Sequence, residues 1–162
     1  MGQAETAERS AETAEQLTTV QAVTAEPECI FCMIVAGTAS STTIARSERA
    51  VAFMDINPVT RGHALVVPRA HSSDLLDVEA EDLAACIYLA QEVARRAQDR
   101  LGADGVNILN CSGVAAWQTV FHFHLHVIPR FKDEPGKDAI GLPWESAPGN
   151  RDDIERIGNH LS

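Results

Sequence analysis

No stretch of this 162-residue chain is apolar over the roughly 18 residues that a membrane span requires, although apolar residues make up 45% of it. Its opening, MGQAETAERS, lacks the basic-then-apolar plan of a secretory signal. Both shortages lead us to expect a cytoplasmic protein with no membrane partner. Positive charge is also scarce: 13 Lys and Arg face 23 Asp and Glu, a net charge of −10. Phosphate backbones are gripped by dense Lys and Arg, so the balance argues against general nucleic-acid binding. It does not argue against a small phosphate ligand, which needs only a local site. Cysteine is limited to Cys29, Cys32, Cys86 and Cys111. Without a secretory signal, these four are not expected to pair as disulfides.

Large apolar residues are almost missing from the first part of the chain. Residues 1–28 hold six Glu and one Arg, half of the whole net charge. Such a segment cannot bury enough surface to offset its ordering entropy. Residues 1–27 are therefore expected to be a disordered acidic tail, and residues 28–162 one domain with its core over about 29–131. CIFCMIVAG reads as a short helix stopped by Gly37. Strands are expected at 42–46, 51–56 and 63–68, with the Pro- and Gly-bearing NPVTRG as a turn. Leu83, Ile87, Ala90, Ala94, Ala97 and Leu101 recur at three- and four-residue steps, which predicts a long helix from Glu79 to Leu101 ended by Gly102. Cys86 lies on its apolar side and is expected to be core packing. Two more strands follow, at 106–110 and 120–129. Beyond Phe131, Pro, Gly and charge leave an irregular segment. The pattern is α+β, with a five-stranded, mostly antiparallel sheet, one long helix and one short N-terminal helix.

The informative stretch is Phe121-His122-Phe123-His124-Leu125-His126-Val127. Side chains alternate across a strand. Phe121, Phe123, Leu125 and Val127 should point to the core, and the three histidines should share the other face at intervals of roughly 6.5–7 Å. A row of imidazoles opposite an apolar row is not ordinary packing. Either the three imidazoles hold a metal or they perform chemistry. Imidazole has an unperturbed pKa of about 6.5, so it is largely neutral and nucleophilic at neutral pH. It can attack phosphorus and leave again, dividing one displacement into two easier ones.

His122-Phe123-His124-Leu125-His126-Val127-Ile128 resembles the His-φ-His-φ-His-φ-φ signature of the histidine triad family, where φ is apolar. Three further stretches carry the resemblance: Cys29-Ile30-Phe31-Cys32, Phe53-Met54-Asp55-Ile56-Asn57-Pro58 and Gly62-His63-Ala64-Leu65-Val66-Val67-Pro68. With Gln118-Thr119-Val120 before the triad and Pro129-Arg130 after it, the likeness covers roughly residues 29–131. It implies a histidine triad fold acting on a purine nucleotide. His124 would be the nucleophile, forming a nucleotidyl-histidine. His126 would contact the phosphate and help the leaving group, His122 would support His124 from behind, and His63 would be a fourth active-site histidine. Asp55 would bind the ribose hydroxyls and Phe53 and Ile56 would wall the base. Asn110, Gln118 and Thr119 would serve the phosphate or the leaving group. A homodimer, joined through the long helix and a strand, is the expected assembly.

In a bacterial-type branch of that family, and in galactose-1-phosphate uridylyltransferases, a CxxC pair, a downstream His and the first triad His hold zinc. Cys29, Cys32, His71 and His122 match that set. Four protein ligands make a closed, structural site. A CxxC alone is a weak signal, and many triad proteins carry no metal.

One departure stands out. The family commonly has Ala-Gly-Gln before the triad, whereas this chain has Ala115-Ala116-Trp117-Gln118. Trp117 would crowd the loop beside the phosphate or stack on a leaving group. The resemblance implies hydrolysis at the α-phosphorus of a purine nucleoside phosphoramidate or dinucleoside polyphosphate. A nucleotidyl transferase or phosphorylase with another acceptor, and a regulatory nucleotide-binding protein with incidental hydrolysis, are the alternatives.

Overall fold

The computed structural model describes residues 25–132 and 148–162. The tail expected at 1–27 lies almost wholly outside them, with only residues 25–27 described. Helix α1 spans Ile30–Ala36 and stops at Gly37, whose φ of 78° lets its N–H turn back onto Met33 and Ile34 carbonyls. Strands β1 (Thr43–Arg46), β2 (Ala50–Met54) and β3 (Ala64–Pro68) follow. Then come helix α2 (Ala80–Leu101), strand β4 (Gly105–Leu109), a short 3-10 turn at Val114–Ala116, and strand β5 (Leu125–Arg130). Helix α3 (Arg151–Leu161) closes the described chain.

The five strands form one antiparallel sheet in the order β1-β2-β3-β5-β4. Its central strands are buried on both faces, which explains their near-continuous apolar sequence. Ala50, Ala52, Ala64, Val66, Leu125 and Val127 turn to α2 and meet Cys86, Leu89, Ala90 and Val93. The small side chains on β2 and β3 let the helix approach closely. Val51, Phe53, Leu65 and Val67 turn to the other face and meet Phe31 and Ile34 of α1. His126 alternates with Leu125 and Val127, so it opens on the α1 face.

Three expectations need correction. The strand expected at 120–129 begins only at Leu125. Its partner β3 ends at Pro68, which has no N–H to extend the ladder. The backbone of 121–124 therefore leaves the sheet, and Phe123 N–H donates to the Ser72 carbonyl at 2.7 Å. Phe121 is consequently half exposed rather than in the core, while Phe123 is fully buried. On α2 the inner face is Cys86, Leu89, Ala90, Val93 and Ala97, and Ile87 is exposed. The same face buries Asp82, paired with the Arg49 guanidinium at 2.8 Å. Finally, the segment after Phe131 is not irregular throughout. Asn150 caps α3 by accepting from Asp153 N–H at 3.0 Å, and Asp152 and Asp153 complement the helix N-terminus. Among the described residues no helix is long and apolar enough to cross a membrane.

Candidate active site and metal centre

The backbone fixes the protonation pattern of the histidines. His124 Nδ1–H donates to the His122 carbonyl at 2.7 Å, which leaves the lone pair on Nε2. His122 Nε2–H donates to the Pro68 carbonyl at 3.1 Å, the acceptor freed where the ladder stops, so its lone pair is on Nδ1. Val59 N–H donates to His63 Nδ1 at 3.3 Å. The proton of neutral His63 is thus on Nε2, which donates to His126 Nδ1 at 2.9 Å. His126 must then carry its own proton on Nε2. Side by side, the ring centroids of His124 and His126 are 5.0 Å apart. One ring offers a lone pair and its neighbour a proton, the complementary pair that nucleophilic displacement needs.

Burial keeps these rings neutral. It is the main cause holding His124 and His63 below the usual imidazole value, against the pull of the Asp55 carboxylate. It pushes His122 down to about 4, aided by His71 and His124. It likewise pushes His126 to about 4, aided by His124 and His63.

His124 and His126 open on a cleft of about 380 Å³ beside α1. Its wall includes Ile30, Ile34, Phe53, Asp55, Ile56 and Thr119. The lining thus combines apolar side chains, one carboxylate and two imidazoles. Asp55 Oδ1 accepts from Asn57 N–H at 2.7 Å, and Oδ2 lies 3.5 Å from His63 Nδ1. Asp55 therefore faces both the cleft and the histidine pair.

Phe53, Asp55, Ile56, Thr119, His124 and His126 meet in this wall, with His63 and His122 directly behind it. Asn110 and Gln118 are placed differently. Asn110 Nδ2 donates to the His124 carbonyl at 2.9 Å, replacing the ladder bond that β4 no longer supplies. Gln118 is buried, and Nε2 donates to the Ser73 and Val120 carbonyls at 2.7 and 3.1 Å. Its Oε1 accepts from Gly113 N–H at 2.6 Å. Sequence reasoning passed over Phe31, which meets His124 edge-on at 5.3 Å between ring centroids, and Ile30 and Ile34 in the wall. The available signal was their position in and just after the CxxC, on the helix that carries it.

Behind the cleft, Cys29, Cys32, His71 and His122 place their ligand atoms within 4.8 Å of one another. Cys29 Sγ and Cys32 Sγ each lie 3.5 Å from His122 Nδ1, and Cys32 Sγ lies 3.3 Å from His71 Nδ1. A tetrahedron with Zn–S of about 2.3 Å and Zn–N of about 2.05 Å has S···N edges of about 3.5 Å. The donor set fits, and an S₂N₂ set suits zinc. The Pro68 carbonyl on Nε2 fixes the His122 tautomer with its lone pair on the metal side. Burial raises the Cys32 thiol, with Cys29 beside it adding to the rise and the Glu26 N–H opposing it. Asp55, His63 and His126 also lie close enough to share an ion. There, however, His63 and His126 have joined their facing nitrogens in a hydrogen bond. Cys86 and Cys111 are buried elsewhere, and burial pushes Cys86 up to about 12.

A triad of imidazoles at the end of a β5-led cleft, backed by a two-cysteine, two-histidine cluster, defines a histidine triad protein. Residues 36–133 match the HIT domain family, and the chain belongs to it. It is 34% identical over 134 residues to an adenosine 5′-monophosphoramidase of Schizosaccharomyces pombe, covering 83% of this chain and 96% of that one. A HIT family protein of Bacillus anthracis superposes with a TM-score of 0.76 at 33% identity, over 83% of this chain and 95% of that one. A Zn-bound histidine triad family protein of Mycobacterium smegmatis superposes with a TM-score of 0.64 at 42% identity, over 68% and 86%.

Proposed function

We propose that this protein hydrolyses purine nucleoside phosphoramidates or dinucleoside polyphosphates at the α-phosphorus through a nucleotidyl-His124 intermediate. The observation that carries this reading is the fixed pair of tautomers, a lone pair on His124 Nε2 beside a proton on His126 Nε2. His124 Nε2 forms a bond to phosphorus as the bond from phosphorus to the leaving amine or phosphate breaks. The leaving group takes the His126 Nε2 proton. His126 regains a proton at Nδ1 from His63 Nε2, and His63 takes one up from solvent at Nδ1, beside the Asp55 carboxylate. Water then attacks the phosphorus and the P–Nε2 bond breaks; the water proton passes to His126 Nε2, His126 Nδ1 returns its proton to His63 Nε2, and His63 Nδ1 releases one to solvent. Cys29, Cys32, His71 and His122 would hold a zinc ion, whose chemistry here is structural. The adenosine 5′-monophosphoramidase relative supports the substrate class. The test is product analysis with adenosine phosphoramidate and diadenosine polyphosphates, each with and without inorganic phosphate. Hydrolysis gives AMP in every arm. Phosphate-dependent ADP would replace hydrolase with phosphorylase, and no turnover of any of them would overturn the reading.

The ribose site is Asp55, whose two carboxylate oxygens retain lone pairs toward the cleft. Asp55→Ala is expected to raise KM for ribonucleotides by about tenfold or more, the scale of hydrogen bonds to a charged acceptor. It should also narrow the gap to 2′-deoxy substrates. An unchanged ribo-to-deoxy ratio would remove Asp55 from the ribose.

A homodimer is the assembly this chain is proposed to form. Strand β4 is an edge of the sheet, with Ile108 and Leu109 exposed, and α2 exposes Ile87 and Tyr88. Unpaired edges and exposed apolar residues invite a second copy. Light scattering should return about twice the 17.5 kDa chain mass, and a one-chain mass would refute the dimer.

A further inference from the structure

A second cavity, of about 430 Å³, is lined by the C-terminal half of α2, by β1 and by the end of β2. It is larger than the triad cleft, shares only Met54 with it, and falls within the roughly 300–1,000 Å³ of small-molecule sites. Five apolar side chains line it: Ile44, Met54, Val93, Ala97 and Leu101. The remaining side chains of the lining are those of Arg61, Arg96 and Arg100, and among the described residues no carboxylate joins them. Three of the 13 basic residues of a chain with net charge −10 therefore meet at one cavity. The triad cleft has the opposite character, with a carboxylate and no cation in its lining.

Two of the guanidinium groups are held in place. Arg96 Nη1 donates to the Ile44 carbonyl at 2.9 Å, and its Nη2 donates to the Glu92 carboxylate. Arg61 Nη2 donates to the Leu101 carbonyl at 3.2 Å, and its guanidinium carbon lies 4.3 Å from the Phe131 ring centre. Groups fixed before a ligand arrives lower the ordering cost of binding it. A guanidinium has five N–H donors, so Arg96 keeps donors beyond these two bonds. Arg100 follows Arg96 by four residues on the same face of α2, where like charges repel. An anion between them relieves that repulsion.

We propose that this cavity is a second ligand site, separate from the triad cleft, for a small carboxylate with an apolar body. The carboxylate meets the planar donor fork that arginine presents. The apolar body is withdrawn from water against Ile44, Met54, Val93 and Ala97. Binding needs both halves: an alcohol of the same length lacks the charge, and acetate lacks the body. Arg61, Arg96 and Arg100 have no part in the hydrolysis proposed above, so the two readings stand or fall separately.

The test is titration calorimetry on the full chain with octanoate as the probe. Wild type should bind octanoate at about one site per chain, about tenfold or more tighter than 1-octanol or acetate, the scale of hydrogen bonds to a charged group. Arg100→Glu should weaken octanoate by about tenfold or more, and Arg100→Ala should weaken it in the same direction by less. Arg156→Glu makes the same charge change on α3 and should leave the affinity as it is in wild type. Equal losses in Arg100→Glu and Arg156→Glu would reduce the effect to general charge attraction and overturn the site. So would 1-octanol binding as tightly as octanoate, or no saturable binding to wild type. If Arg100→Glu and Arg100→Ala both leave octanoate affinity unchanged, the ligand is elsewhere and the proposal fails. If they change the light-scattering mass instead, the cavity belongs to an interface between copies of this chain, and the proposal fails equally.

Discussion

His124→Ala should abolish turnover, with kcat reduced about 10⁴- to 10⁶-fold, the range seen when a covalent nucleophile is removed. Nucleotide binding should survive. The reason is the division of the cleft: Phe53, Asp55 and Ile56 are proposed to hold the nucleoside, and none relies on His124. His126 cannot substitute, because its Nε2 carries the proton that His63 places there. In wild type, incubation with substrate and rapid quenching should add the mass of one nucleotidyl group, and the variant should add none. The acid side of the rate profile tests the same geometry. At pH 6 a free imidazole with a pKa of about 6.5 is about three-quarters protonated. Burial lowers His124 from that value and takes His126 to about 4. Lowered values keep the neutral forms present as pH falls, so kcat/KM at pH 6 should remain close to its value at pH 7. A His124→Ala enzyme with near-wild-type kcat would end the assignment.

Much of this site was legible because the triad combines two periodicities, apolar toward α2 and imidazole toward α1. Both are local and survive as sequence. The strand boundaries on either side of β3 were legible to within a residue or two, since Pro58, Gly62 and Pro68 punctuate them. What sequence could not give was the behaviour of 120–124. Whether those residues stay in the sheet depends on what β3 and β4 offer beside them, which is a non-local fact. Pro68 ends one ladder, and Asn110 replaces a backbone donor with a side-chain amide on the other. His122 and His124 therefore lie off the regular strand, yet remain on the expected side because their rings bond to backbone carbonyls. Gln118 shows the same limit. A polar side chain beside the triad is read from sequence as a phosphate ligand, but its amide hydrogens are committed to Ser73 and Val120. The His126 tautomer, and with it the division of labour proposed for His124 and His126, depends on Val59 and His63, distant in sequence from the triad. Helix α3 was missed although its signals, Asn150 and two following acids, are present, because the Pro- and Gly-rich approach to it masked them.

His122 links the triad segment to the start of the domain. It is wholly buried, its Nε2 is tied to Pro68, and its Nδ1 faces the two thiols. Its carbonyl also accepts the proton that sets the His124 tautomer. Anything that loosens His122 therefore disturbs His124, the proposed nucleophile, without touching substrate. The Phe31 ring, between the two cysteines, packs edge-on against both His122 and His124. Helix α1 is thus held to the site from two directions, by packing and by the cysteines that flank Phe31.

Removing the metal should have the largest effect on stability. Protein purified without chelator is expected to contain about one zinc per chain, on Cys29, Cys32, His71 and His122. Metal bound in the folded state and absent from the unfolded chain contributes its binding free energy to folding. Cys29→Ser should lose the metal and lower the melting temperature by about 10 °C or more, since each kcal/mol moves a domain of this size by several degrees. Its kcat should fall as well, through the loosened backbone at His122, while KM changes less. Cys86→Ser is the control, because Cys86 packs from α2 onto the sheet face opposite α1, and this variant should keep its zinc. Affinity should decline with falling pH, because both thiols must ionise to bind and burial already raises Cys32. The alternative state of the same residues is a hydrogen-bonded cluster with the thiols protonated, which the 3.3–3.5 Å separations also allow. Elemental analysis separates the two. If zinc is absent, and added zinc neither binds nor raises the melting temperature, the cysteines brace α1 by hydrogen bonding alone and His122 serves only to orient His124.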